Sequence, residues 1–164
     1  YFSELNATFD RIETELGLEV VIAVHPRADK VRAARAFASR RKVFGDTART
    51  VAESRLVLTH YSRSSNFAIL LKKPVILIAT QQLLDWIPSL RGYITNLAAA
   101  LGTAPYFFDD PSIVSLAGAF DVNTDAYTDY TARFIKAPGS SNRPMWDIVF
   151  DRIEADFTSP ERAQ

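Results

Sequence analysis

The two histidines of the chain, His25 and His60, are the first residues whose chemistry and position suggest a site. Each follows a short apolar run that is typical of a buried strand, residues 20–24 before His25 and residues 56–59 before His60. An imidazole can donate a hydrogen bond to a phosphate oxygen, and its charge changes near neutral pH. A lone histidine is usually a surface residue or a satisfied core residue, without a functional role. The shared position after a strand favours anion binding.

A cluster of hydroxyl side chains follows His60 and precedes an apolar helical segment. It consists of Ser62, Ser64 and Ser65, with Arg63 between the first two. Small hydroxyl residues in this position are first of all helix caps. Alternatively, hydroxyls, free backbone amides and the helix dipole form an anion site together, to which Arg63 adds a permanent charge. Neither a G-x-G-x-x-G motif nor a Walker-type loop is present, so such a site would rely on serines and helix ends.

Charge is distributed unevenly along a chain that has 19 basic and 19 acidic residues. Residues 27–42 hold seven basic residues and one acidic residue, whereas ten acidic and five basic residues follow position 100. A solvated helix face explains the basic segment, and a basic rim directed toward a phosphorylated ligand is the alternative. The balanced total gives no argument for nucleic-acid binding.

Other side chains give weaker signals. Asp109 and Asp110 follow a predicted strand and could bind a metal ion or a ribose, but a turn before Pro111 also explains them. Four aromatic residues at helical spacings are predicted to lie in the core or at an interface: Trp86, Trp146, Tyr127 and Tyr130. The sequence has no cysteine, which excludes disulfides, zinc–thiolate sites and a cysteine nucleophile. It has no H-E-x-x-H, G-x-S-x-G or EF-hand pattern either.

Alternating apolar patterns predict the elements that would position these residues. The predicted strands cover residues 20–24, 41–44, 56–59, 74–79 and 105–108. The predicted helices cover residues 2–16, 29–39, 47–54, 64–71, 83–101 with a break at Pro88, 124–137 and 144–157. Strands joined by helical crossovers pair in parallel, with helices on both faces of the sheet, and ligands bind at the carboxyl ends of the strands.

The predicted fold class is therefore α/β, a Rossmann-like three-layer α/β/α arrangement with about five parallel strands and extra C-terminal helices. Residues 1–157 are expected to form one domain, followed by a frayed tail over residues 158–164. No apolar run approaches the roughly 20 residues of a membrane span, and the first residues do not resemble a signal peptide. Because the sequence lacks an initiator Met, we interpret it as a fragment or a processed chain.

Several short motifs, in their order along the chain, resemble a known family. They are His25-Pro26, the serines of residues 62–65, Asn66-Phe67-Ala68, Lys73-Pro74-Val75, Tyr127-x-x-Tyr130 and Trp146-Asp147-Ile148. The chain resembles the C-terminal, nucleotide-binding half of GT-B glycosyltransferases that build bacterial surface polysaccharides. The resemblance is greatest to the group that contains bacterial sialyltransferases and capsule-type transferases, and it covers most of the chain.

The resemblance implies that the histidine of the His-Pro motif and the serine loop contact the phosphate and the nucleotide of a sugar donor. The resulting set of predicted nucleotide and phosphate contacts is His25, Pro26, Arg27, Gly45, His60, Ser62, Arg63, Ser64 and Ser65. The chain departs from the family because Arg63 interrupts the expected adjacent pair of hydroxyl residues. It also lacks the family's N-terminal domain, which carries the acidic catalytic motif, so no catalytic residue is assigned and the isolated chain is expected to be inactive.

The function that the resemblance implies is donor binding in a bacterial glycosyltransferase for surface or capsular polysaccharide. The donor would be a CMP- or UDP-linked sugar, with no cofactor and no metal. The expected partners are an N-terminal α/β domain and a glycan or lipid-linked acceptor, in the cytoplasm or at the inner face of the membrane. A sugar-nucleotide epimerase of GT-B architecture and a non-catalytic nucleotide-binding or assembly module are the alternatives.

Overall fold

The computed structural model describes residues 1–37, 39–110 and 118–158, and these residues form an α/β fold. The strands are β1 (Ile22–Val24), β2 (Lys42–Phe44), β3 (Val57–Thr59), β4 (Val75–Ala79) and β5 (Tyr106–Phe107). The helices are α1 (Phe2–Leu16), α2 (Lys30–Ala36), α3 (Thr47–Glu53), α4 (Ser65–Leu70), α5 (Gln81–Trp86), α6 (Pro88–Leu101), α7 (Thr124–Tyr130) and α8 (Met145–Thr158). A π-helical turn, Thr131–Ile135, follows α7. Thr158 ends α8 instead of beginning a tail, and residues 159–164 lie outside the described residues.

The strands form two small parallel sheets. One sheet pairs β1 with β2, and Ile22 lies opposite Lys42. The other has the order β3-β4-β5, with Val57 opposite Val75 and Ile78 opposite Tyr106. The predictions of an α/β class and of parallel pairing are confirmed. Hydrogen bonds do not join the described strands into one sheet of five.

Helices cover both faces of β4. Leu77 packs in one hydrophobic cluster with Ile69 of α4 and Ile94 of α6. Ile78 points to the other face and packs in a second cluster with Phe9 of α1. The continuous apolar character of residues 74–79 is explained by this burial on two faces.

The strand β1 differs from its prediction. An apolar run over residues 20–24 predicts a strand that is buried on both faces, but Ala23 is exposed while Val24 is buried. The strand also begins only at Ile22. It belongs to a sheet of two strands, in which less of each face is covered than in the central β4.

Helix boundaries follow local signals in the sequence. The helix α1 ends at Gly17, whose φ of 62° is the left-handed conformation that glycine adopts most readily. The predicted break at Pro88 is confirmed because α5 ends at Trp86 and Pro88 begins α6, where its missing N–H is not needed. Among the described residues, every helix is too short or too polar to cross a membrane.

Candidate functional site

The predicted site residues lie at the carboxyl ends of parallel strands. His25 follows β1 and Gly45 follows β2, so these two residues share one edge of the two-stranded sheet. His60 follows β3, and Asp109 comes shortly after β5, at the corresponding edge of the three-stranded sheet. In α/β folds this edge is where ligands bind.

The His25 loop leaves one hydrogen-bond donor exposed. The Nδ1 atom of His25 accepts a hydrogen bond from the backbone N–H of Arg27 at 3.1 Å, so the neutral ring carries its proton on Nε2. The carbonyl of His25 accepts from the backbone N–H of Ala28 at 2.9 Å, which closes a turn around Pro26. The exposed Nε2–H has no hydrogen-bond partner among the described residues and can donate to an anion.

His60 has a different environment. Its Nδ1 lies 2.5 Å from the carbonyl oxygen of Ile78, and its Nε2 lies 2.5 Å from the hydroxyl of Tyr1. A carbonyl only accepts, so Nδ1 carries the proton and Nε2 accepts from the phenol. Burial raises the pKa of Tyr1 to about 12, which keeps that phenol protonated. Both ring nitrogens are therefore engaged within the protein, and His60 joins the start of α1 to the three-stranded sheet instead of presenting a donor to a ligand.

Protonation of His60 is expected to destabilise the fold. Burial lowers the pKa of this imidazole from its ordinary value of 6.5, against the smaller opposite effect of the hydrogen bond to Ile78. The unfolded chain therefore binds the proton first, and the free energy of unfolding falls as pH drops below about 6.5, by at most about 1.4 kcal/mol per pH unit. Urea unfolding of the parent and of His60→Asn across this range measures the effect. An unchanged slope in the variant would show that another group causes it.

The serine loop, residues 62–65, is organised by its own hydroxyls. The Oγ atoms of Ser62 and Ser64 are 2.6 Å apart, and whichever donates, the other keeps its O–H for a ligand. The buried Ser65 hydroxyl donates to the carbonyl of Ser62 at 2.8 Å. Ser65 therefore shapes the loop, and Ser62 with Ser64 supplies the available donor.

The backbone amides at the start of α4 are already used. The N–H of Ser64 donates to Ser62 Oγ at 3.2 Å, and the N–H of Ser65 donates to the Ser62 carbonyl at 3.1 Å. The next two amides, of Asn66 and Phe67, donate to carbonyls three residues earlier. The prediction of an anion site built on free amides is wrong for these four groups, because the turn satisfies them internally. Capping is not the role of Ser64 either, since its side chain makes no cap hydrogen bond.

Cations are available at the candidate site, but fewer than the basic segment predicts. Arg27 and Arg63 are exposed beside His25 and Ser62. Arg40 instead has a buried side chain that pairs with acidic residues of α1, and Arg41 pairs with Glu19 at 3.4 Å. The pairing of Arg40 and Arg41 leaves the basic residues around α2 as the part of the segment that could face an anion.

The weaker candidates have structural roles in this fold. Asp109 Oδ2 accepts from the backbone N–H of Gln81 at 2.7 Å and so closes the start of α5. The described residues contain no group of three or more histidine or acidic side chains placed to hold a metal ion. Of the aromatic residues predicted to lie in the core or at an interface, Tyr127 lies in the core, whereas Trp86 and Trp146 are exposed and do not belong to the core.

Sequence reasoning missed one aromatic pair beside the serine loop. Tyr61 is exposed, and its ring centroid lies 4.9 Å from that of Tyr93 on α6. The available signal was the position of Tyr61 between His60 and Ser62, at the predicted ligand edge.

Comparisons of the chain with protein-family models, with curated proteins and with solved structures found no match.

Proposed function

We propose that this chain binds the nucleotide-sugar donor of a glycosyltransferase for bacterial surface polysaccharide. The proposal is carried by the exposed Nε2–H of His25 at the carboxyl end of β1, for which residues 1–37, 39–110 and 118–158 supply no hydrogen-bond partner. Ser62 and Ser64 supply a hydroxyl donor, and Arg63 supplies a permanent positive charge. All of these groups donate hydrogen bonds, which suits a phosphate and not a cation.

The proposed architecture is a Rossmann-like three-layer domain over residues 1–157, in which the two sheets lie side by side. Its support is a shared hydrophobic cluster, which includes Ile22 of β1 and the preceding Val20 together with Leu58 of β3 and Ile78 of β4. In this arrangement the His25 loop and the serine loop face the same side. The donor would then lie across the carboxyl ends of β1 and β3.

The proposed reaction is glycosyl transfer. As the acceptor hydroxyl attacks the sugar, the bond from the sugar to the phosphate oxygen breaks and negative charge develops on the departing nucleotide. Donors held in place before the reaction stabilise that charge. His25, Arg63 and the Ser62–Ser64 pair would act in this way. The acceptor proton needs a general base, and in the proposed enzyme that base comes from an N-terminal α/β domain.

Replacing His25 with alanine tests the phosphate contact. We expect His25→Ala to weaken nucleotide binding about 10- to 150-fold, the equivalent of roughly 1.5–3 kcal/mol for a lost charge-assisted hydrogen bond. Titration calorimetry with CMP, UDP and GDP measures the loss and also identifies the preferred nucleotide. Because His25 is exposed, the thermal midpoint of the variant should stay close to that of the parent.

The matched control is His25→Gln, whose amide N–H can occupy a position similar to that of Nε2–H. It should recover part of the affinity that His25→Ala loses. If folded His25→Ala binds all three nucleotides as well as the parent does, His25 is not a phosphate contact. Assays with UDP-sugars use the chain joined to an N-terminal domain. Conversion of a UDP-sugar to its epimer would identify an epimerase instead of a transferase. Nucleotide binding without any turnover would favour a non-catalytic module.

A further inference from the structure

An exposed aromatic ring stands beside the proposed phosphate contacts. Tyr61 is 69% exposed, and the next residue in the chain is Ser62, whose hydroxyl pairs with that of Ser64. Large aromatic side chains are usually covered in a folded protein, so an uncovered ring at a ligand edge is a candidate contact surface.

Tyr61 is held in place by a second ring. Its centroid lies 4.9 Å from that of Tyr93, with an angle of 74° between the ring planes, which is a favourable edge-to-face contact. Tyr93 lies on α6 and packs against the hydrophobic cluster that contains Leu77. A ring with fixed orientation loses little conformational entropy when a planar ligand stacks on it.

The neighbourhood of the pair is also ordered. Tyr130 of α7 packs against the same hydrophobic cluster as Tyr93, and its hydroxyl lies 3.5 Å from the side-chain oxygen of Asn66. Asn66 is the second residue of α4, and the first residue of this helix, Ser65, is the last residue of the serine loop. The helices that carry Tyr93, Tyr130 and the end of the serine loop therefore pack in one hydrophobic cluster, which holds the surroundings of Tyr61 together.

We propose that Tyr61, supported by Tyr93, is the platform on which the nucleobase of the donor stacks. This inference rests on the proposed nucleotide-binding function. Aromatic rings stack on any base through its π-face, with little dependence on which base it is. Phosphate donors at Ser62 and Arg63 and a stacking surface at Tyr61 would hold both ends of a nucleotide from one loop. A neutral sugar ring on Tyr61 is the competing occupant.

The test compares ligands that share a phosphate but differ in the presence of a base. We expect Tyr61→Ala to weaken binding of CMP and UMP about 5- to 150-fold, which corresponds to roughly 1–3 kcal/mol per stacked base. Binding of inorganic pyrophosphate and of ribose 5-phosphate should change by less than about two-fold. Tyr61→Phe keeps the ring and should bind CMP nearly as the parent does. Phe157→Ala, which removes an aromatic ring that is 86% exposed on α8, is the matched control.

The outcomes separate the platform from the phosphate site. If the parent binds neither pyrophosphate nor any nucleotide, the proposed function and the platform both fail. If Tyr61→Ala loses pyrophosphate as strongly as CMP, Tyr61 only shapes the loop and the platform alone is overturned. The platform proposal is also overturned if Tyr61→Ala binds CMP as well as the parent does. A selective loss of glucose 1-phosphate binding in this variant would overturn it too, because the sugar would then be the group that contacts Tyr61. Saturation-transfer NMR should detect the strongest contact at the H5 and H6 protons of cytosine in the parent, and this signal should vanish in Tyr61→Ala.

Discussion

Replacing Leu77 with alanine is expected to lower the free energy of unfolding by about 2–5 kcal/mol, the range measured for buried leucines in other proteins. Leu77 lies in the middle of β4, the central strand of its sheet, and its side chain is 0% exposed. It packs in one cluster with Ile69 of α4 and Ile94 of α6. Because α4 and α6 pack against this side chain, the cavity left by alanine can collapse only partly.

Urea unfolding followed by circular dichroism measures this loss. The matched control is Leu70→Ala on α4, because Leu70 is 47% exposed and carries the same side chain. Its cost should stay below about 1 kcal/mol, as for most substitutions away from the core. Equal losses in the two variants would contradict the central position of β4 in the core.

The positions of helices and strands could be predicted closely from the sequence. The apolar spacing of residues 2–16 gives the bounds of α1, and the left-handed Gly17 ends it. The predicted helix break at Pro88 is also confirmed, since Pro88 begins α6, where its missing N–H is not needed. These signals are local, because one turn of backbone and its side chains decides them.

Which strands pair with one another was harder to predict from the sequence. Apolar runs predict that strands are buried, but they do not determine which neighbour each strand pairs with. The hydrogen bonds divide the described strands into β1-β2 and β3-β4-β5, and Ala23 of β1 remains exposed. Pairing depends on contacts between residues that are distant in the sequence, which a periodic pattern does not contain.

The candidate site shows the same limit at the level of single atoms. His25 and His60 both follow strands, yet of the two only His25 keeps a donor that has no partner within the part of the chain that the structure describes. His60 loses its donor to Ile78, and its acceptor is used by Tyr1, 59 positions away. The amides that begin α4 are likewise consumed by a tight turn that Ser62 organises. Residue type and position along a strand predict where polar groups gather, but the availability of each group depends on its hydrogen-bond partners.

Arg40 gives the clearest case of a residue whose role differs from its local pattern. It lies within the basic segment of residues 27–42, which predicts a solvated or ligand-facing charge. Its side chain is only 7% exposed. It donates to the side-chain oxygen of Asn6 at 2.9 Å and to Glu13 at 3.0 Å, and it also pairs with Asp10. Arg40 therefore fixes α1 to the chain that leads into β2.

Removing the Arg40 guanidinium should destabilise the fold strongly. We expect Arg40→Ala to lower the free energy of unfolding by about 2–4 kcal/mol, near the range for breaking a buried ion pair from one side. Glu13 would lose its cation while its other oxygen still holds the backbone N–H of Val20 at 2.9 Å. The ring of Phe9, 5.3 Å from the guanidinium carbon, would lose a cation–π contact. Asp10 is largely exposed, so water would solvate its carboxylate after the substitution. The expected loss of stability is therefore smaller than the largest values for a broken buried ion pair.

Two further variants distinguish the contribution of the buried Arg40 contacts from that of net charge. Arg41→Ala removes the neighbouring arginine, whose exposed pair with Glu19 is 3.4 Å long, and should change stability by less than about 1 kcal/mol. Arg40→Lys keeps the charge but loses the planar fork that reaches Asn6 and Glu13 together, so it should recover only a fraction of the loss. All three free energies come from urea unfolding at one salt concentration. Full recovery by lysine, or equal losses in Arg40→Ala and Arg41→Ala, would mean that net charge and not this buried contact joins α1 to the rest of the fold.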